Sequence, residues 1–260
     1  FSFYYVIIII WVGFINKLEG YGGILYIFET MKGKIIWLLF LPLLLWCQTE
    51  FEQAEQLFRA GKYEQAKEIF LKIHQKNPKD YKTIEYLGDI EGHYKNWDEA
   101  KSYYVVLRNT FPTNGNYHFK YGGVLGMKIK EMNKFKALAY IDELKISFEK
   151  AVKYEPKHIE ARWALIELYI QLPGVIGGSE RKAQQYSNEL LTLSVVDGYL
   201  SKGHIAEYFN RYTEAEAFFK KAFEISNGSR NSYKRLINLY KKMNMPQKAA
   251  KLQEEFNKKY

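Results

Sequence analysis

An all-α fold, a solenoid assembled from about six helix–turn–helix units, is what this sequence predicts. Three observations lead there. One residue pattern returns at a fixed interval of 34 residues, from "GKYEQAKEIFLKIHQKNP" at residues 61–78 to "KNWDEAKSYYVVLRNTFP" at 95–112. The chain carries 22 Tyr and 17 Phe but only 6 Pro, a balance that favours helices packed through aromatic side chains over loops. Its 47% hydrophobic and 26% charged residues suit an ordered protein with a large core.

The elements follow in order. Residues 1–30 have an uncertain role. They read either as translated sequence upstream of Met31 or, through the apolar run 3–15, as part of a membrane root; the first reading is preferred, because the next segment is complete without them. Residues 31–47, "MKGKIIWLLFLPLLLWC", have the layout of a secretory signal peptide: Lys32 and Lys34, then twelve apolar residues, then a polar turn at Gln48. Twelve residues fall short of the roughly 20 that span a bilayer as a helix. Cleavage is expected near Cys47 or Gln48. Leu44 stands three residues before Cys47, as in lipid-bearing signals, but Trp46 fills the position where those signals carry a small residue. An uncleaved segment would leave the protein membrane-anchored instead.

The repeat domain is expected over residues 48–260. Its first unit sets Ala54, Gly61, Tyr63, Ala66, Phe70 and Pro78 in register. A shift of 34 gives Gly88, Lys95, Trp97, Ala100, Tyr104 and Pro112, and the phase returns at Gly203, Asn210, Tyr212, Ala215, Phe219 and Ala222. Small residues let paired helices approach, aromatics fill the gap, and Pro closes a unit because it cannot continue a helix interior. The third unit, through Gly122, Phe148, Ala151 and Pro156, keeps register only with about ten extra residues within "LGMKIKEMNKFKALAYIDELK". The fourth, opening at "HIEARWALIELY", absorbs about five more in "QLPGVIGGSERK" before Ala183 and Leu190. A sixth unit is marked by Leu236, Ile237, Tyr240 and Ala249. The count is six units, about twelve helices and no strands.

These residues and their spacing resemble the tetratricopeptide repeat. The resemblance covers some four-fifths of the chain. It implies a right-handed superhelical solenoid, since no unit buries its apolar face alone.

Signals for chemistry are few. The five histidines (His74, His93, His118, His158 and His204) show no zinc spacing, and no metal or cofactor site is expected. One cysteine excludes internal disulfides, and there is no GxSxG elbow. Glu85 and Asp89 share a helical face, an ordinary pairing on solvated helices. In "PGVIGGSERK", Ser179 is placed to cap a helix from Glu180, and with Arg181 and Lys182 forms a candidate anion site. The loop is no phosphate-binding P-loop, Glu180 repels an anion, and a widened inter-helix connection is the favoured reading. The insertion in the third unit carries Lys128, Lys130, Lys134 and Lys136 among Met127, Met132 and Phe135, a basic and partly apolar protrusion suited to an acidic partner or anionic lipid. Lengthened helices explain it equally. A net charge of +9 is too diffuse for a dedicated nucleic-acid binder, and none is expected as partner.

In the resembled family the first helix of each unit lines a partner groove. Carried over, the candidates are Lys82, Glu85 and Asp89, then Asn116 and Phe119, then Trp163 and Glu167, then His204, then Lys234 and Asn238. Trp163 reads either as an exposed anchor or as filler between units. The clamp some members use for acidic tails is not expected, since its positions hold Phe51, Glu55 and Tyr86. The expected function is a non-enzymatic scaffold for a protein or peptide partner, exported to the periplasm or cell surface of a bacterium and serving an envelope assembly. The alternatives are a membrane-tethered adaptor and a small-anion or enzyme-like role at residues 174–182.

Overall fold

The computed structural model describes residues 49–260, so the expectations for residues 1–48, the signal peptide and Cys47 included, lie outside the described residues. The described part is all helical: thirteen α-helices and one 3-10 turn, with no strand among the described residues. The chain divides into two compact units, Phe1–Ile69 and Phe70–Tyr260.

Of the first, residues 49–69 are described. Helix α1 (Glu50–Arg59) opens on a capping box: the Glu52 N–H donates to Thr49 Oγ1 at 3.2 Å and the Thr49 N–H to Glu52 Oε2 at 3.1 Å. Gly61, at φ +74°, turns the chain into α2 (Tyr63–Lys76), which runs across the division.

The second unit holds five helix pairs: α3 (Tyr81–His93) with α4 (Trp97–Thr110), α5 (Gly115–Glu131) with α7 (Ile141–Tyr154), α8 (Ile159–Gln171) with α9 (Glu180–Leu193), α10 (Val195–Tyr208) with α11 (Tyr212–Ile225), and α12 (Arg230–Lys242) with α13 (Pro246–Lys259). The second helix of each pair packs on the first helix of the next. The ten extra residues of the third unit do more than lengthen its helices. They add a helix of their own, α6 (Lys134–Leu138), which raises the α-helix count from the expected twelve to thirteen. The five extra residues of the fourth unit form the 3-10 turn Gly174–Ile176.

The recurring residues have separable jobs. Every first helix in Phe70–Tyr260 is capped by a polar side chain: Asp80, Asn114, His158, Ser194 and Ser229 each accept the N–H three residues on. Pro78, Pro112 and Pro156 stand two residues before three of those caps. The second helices α4, α7, α11 and α13 have no side-chain cap. Three of these four are entered through a left-handed residue, Lys95 (φ 63°), Asn210 (φ 59°) and Asn244 (φ 55°). Inside the pairs, a Cβ on Gly88 would lie 3.0 Å from the Tyr104 ring, one on Gly122 2.7 Å from Phe148, and one on Gly203 2.4 Å from Phe219. The fourth unit reverses this exchange: Ile166 occupies the glycine register and Ser187 the aromatic register, both fully buried. Interior volume is therefore conserved while the residue types swap.

Candidate functional site

Antiparallel pairing places the first helices α3, α5, α8, α10 and α12 side by side along one face of Phe70–Tyr260, with α8 packed against α10 and α10 against α12. The ten residues expected in the groove all lie on these helices. Two polar networks collect many of them.

The first joins α3, α4 and α5. Lys120, absent from the sequence-derived set, sits between Glu85 and Asp89: its Nζ lies 2.8 Å from Glu85 Oε1 and 2.7 Å from Asp89 Oδ2. The Tyr104 hydroxyl donates to Asp89, and the Tyr117 hydroxyl donates to Glu85 Oε2 at 3.2 Å. Burial first, then the nearby Asp89 and Glu85 carboxylates, hold the Tyr104 hydroxyl far above its usual range. Burial and Glu85 push Tyr117 up to about 12. For Lys120, burial acts downward, but Asp89 and Glu85 outweigh it and raise the ammonium above its ordinary value. The paired carboxylates are therefore internally saturated. Asn116 is half-buried beside this network, and Lys82 is exposed at the start of α3.

The second network joins α8, α10 and α12. His204 Nε2 is 2.6 Å from Glu167 Oε2, and Arg235 Nη1 is 3.2 Å from His204 Nδ1. The His204 hydrogen bond holds the Glu167 carboxyl below the usual range against the opposing effect of burial, with Gln171 and the Arg235 charge adding to it. Trp163 donates from Nε1 to Asp197 Oδ1 at 3.0 Å, and its ring centroid lies 5.8 Å from the Arg235 guanidinium. Trp163 is half-buried and packs against the cores on both sides of it, so it fills the gap between the fourth and fifth units and is not an exposed anchor. Phe119 is also packed inward, its ring 4.5 Å from His158 and 6.0 Å from Phe148. Lys234 and Asn238 are exposed.

Beside this network an open cleft of about 420 Å³ is lined by His204, Tyr208, Arg235, Asn238, Lys241 and Lys242, with Glu207 paired to Lys242 at 2.7 Å. Helix α12 carries Arg230, Lys234, Arg235, Lys241 and Lys242 and no acid. That imbalance was the sequence signal for Arg235 and Lys241, which the position-by-position transfer missed. A wider depression of about 820 Å³ lies on the outer helix α9, lined by polar and charged side chains such as Gln184, Gln185 and Asn188. It has no aromatic wall and sits away from the first-helix face.

The three residues of the candidate anion site are already engaged or turned to solvent. Ser179 Oγ accepts the Lys182 N–H at 3.3 Å, completing its own helix cap. Lys182 Nζ rests 5.0 Å from the Tyr169 ring and 3.4 Å from its hydroxyl, Glu180 pairs with Arg211, and Arg181 is exposed. The glycines are needed by the backbone: Gly177 has φ +97°, and a Cβ on Gly178 would fall 1.7 Å from the Leu172 carbonyl oxygen. Among the described residues no cluster of His, Cys, Asp or Glu is arranged to hold a metal ion, and no helix is long and apolar enough to cross a membrane.

No protein-family model matches the chain, and no curated protein is significantly similar in sequence. Solved structures are similar in fold. A tetratricopeptide repeat protein of Thermus thermophilus, TTC0263, aligns at TM-score 0.59 and 16% identity, covering 73% of this chain and 96% of its own. PilF of Pseudomonas aeruginosa aligns at TM-score 0.57 and 17% identity, covering 81% and 90%. PilW, described as a widely conserved type IV pilus biogenesis factor, aligns at TM-score 0.59 and 16% identity, covering 79% and 90%. The fold is that of the tetratricopeptide repeat proteins, as the resemblance in sequence implies.

Proposed function

We propose that this chain, a tetratricopeptide-repeat fold, is a non-enzymatic scaffold that receives an extended peptide or a helix of a partner protein on its first-helix face. The observation that carries the reading is the cleft between α10 and α12, where Arg235, Asn238 and Lys241 face open space beside a rigid Trp163–Asp197 and His204–Glu167 framework. Repeat solenoids hold partners on such faces, and Arg beside aromatic rings is the side-chain chemistry of interface hot spots. Of the ten transferred residues, Lys234 and Asn238 would meet the partner on this reading, with Lys82 at the far end of the face. Glu85, Asp89, Trp163, Glu167 and His204 would serve as framework.

The small-anion alternative is the weaker one, because the Ser179 cap and Lys182 are occupied within the loop. An envelope role follows from two lines of support. Residues 31–47 have the layout of an export signal, and the fold matches that of PilW, a pilus biogenesis factor.

The test is a photo-crosslinking amino acid placed at Asn238 and, as control, at Gln185 on the outer helix α9, in the native host. The reading expects a discrete crosslinked product from position 238 that Arg235→Ala abolishes, and none from 185. Equal products from both positions, or a product at 238 indifferent to Arg235, would sink it.

A further inference from the structure

The two departures from the 34-residue period share a location. Each falls in the turn from first to second helix, one in the third unit and one in the fourth, so antiparallel pairing puts both on the same edge of the stack. Ion pairs between such turns mark that edge: Lys128 of the third unit with Asp98 of the second, and Arg211 of the fifth with Glu180 of the fourth. The insertions carry the two most exposed large apolar side chains among the described residues, Val175 at 95% and Phe135 at 84%, with Leu138 beside Phe135 at 47%. Around Phe135, Lys130, Lys134 and Lys136 are exposed and make no ion pair; of the exposed acids on this edge, Asp98 and Asp142 are held by Lys128 and Lys145, which leaves Glu99 and Glu131. Regular units need none of this, since α4, α11 and α13 are entered through short turns.

We infer that this edge is a membrane-docking surface, with Phe135, Leu138 and Val175 entering the interfacial layer of an anionic bilayer while the three lysines meet lipid phosphates. The chemistry selects lipid over protein. An aromatic side chain buries about 150–250 Å², so three apolar tips on two separate turns fall short of the ~800 Å² per partner of a stable protein interface. Protruding apolar tips with unpaired lysines beside Phe135 and Leu138 instead fit the boundary between headgroups and acyl chains. Docked through this edge, the chain would leave its first-helix face open sideways to a partner.

The experiment uses the full chain with Cys47→Ser. A bimane label is placed in turn at Phe135→Cys, at Val175→Cys and, as control, at Ile225→Cys, where Ile225 is exposed at the opposite edge. Vesicles of phosphatidylcholine alone are compared with vesicles that also contain phosphatidylglycerol. Labels at 135 and 175 are expected to shift to the blue and be quenched by lipid-borne nitroxide on the anionic vesicles, while the label at 225 stays aqueous. The triple variant K130E/K134E/K136E should weaken that response at least tenfold, since each lysine near an anionic surface contributes about fivefold. Three results would overturn the inference: no shift at 135 on anionic vesicles, equal shifts on both edges, or a shift that follows protein concentration without lipid, which would mark contact with a second copy. Because the labels report local insertion, attachment through residues 1–48 does not mimic the expected pattern.

Discussion

The first-helix face carries the same register twice and uses it in two ways. Between α3 and α5 the carboxylates Glu85 and Asp89 share the ammonium of Lys120 and accept from two tyrosines. Between α8 and α12 the single carboxylate Glu167 takes one ring nitrogen of His204, while Arg235 approaches the other and still lines an open cleft. Charges closed upon one another hold helices together. Charges left with spare donors beside a cleft can hold something else. The difference is one of stoichiometry and access, not residue type.

The strongest way to break the comparison is to unbalance the closed network. Lys120→Met leaves two neighbouring carboxylates with no cation, and Lys120 is only 22% exposed. A loss of about 1–3 kcal/mol is expected, since removing the shared cation of a partly buried network strands both carboxylates, with solvent screening part of the cost. Urea unfolding should show it, and Glu85→Gln with Asp89→Asn in the same chain should recover most of it. A Lys120→Met protein as stable as the parent would show that the network holds nothing.

The open network should respond in the opposite sense. Arg235→Ala is expected to cost about tenfold or more in partner affinity, the scale of a hot-spot arginine, while the thermal midpoint moves little. Partner titration and thermal unfolding on the same sample separate the two. A large stability loss with unchanged affinity would make the two halves alike.

Acid sharpens the contrast further. Glu167 has a depressed carboxyl, so its contribution is complete above the ordinary glutamate range near ~4.3 and is lost as pH falls through the lower folded value. Its side chain is 43% exposed, so solvent screening keeps the effect below about 1 kcal/mol. Glu167→Gln should lower stability at neutral pH by less than about 1 kcal/mol and leave the acid end almost unchanged, so that the acid limb flattens. An identical acid limb in both proteins would count against the pairing with His204.

The smallest effect lies in the turns. Lys95 adopts the left-handed conformation that the fifth and sixth units give to Asn210 and Asn244. Lys95→Asn is expected to stabilise by about 0.5 kcal/mol, because Asn tolerates that region better. Differential scanning calorimetry can resolve the sign.

By itself the sequence determined the units: Gly88, Gly122 and Gly203 against aromatics sixteen or more residues on, the Pro-then-cap openings, and the positions of the two insertions. These are local or periodic constraints, fixed by helix geometry and by the volume each pair must fill. Only the tertiary structure decided which polar groups are spent. Lys120 is an unremarkable lysine until two carboxylates from the preceding unit arrive beside it, and Trp163 reads equally as an exposed anchor or as filler until Asp197, 34 residues later, takes its indole N–H. The same holds for Phe135 and Val175, whose shared edge follows from the antiparallel direction of the helices they interrupt. Such contacts join residues about one repeat apart, where side-chain reach and desolvation set the outcome and periodicity alone cannot.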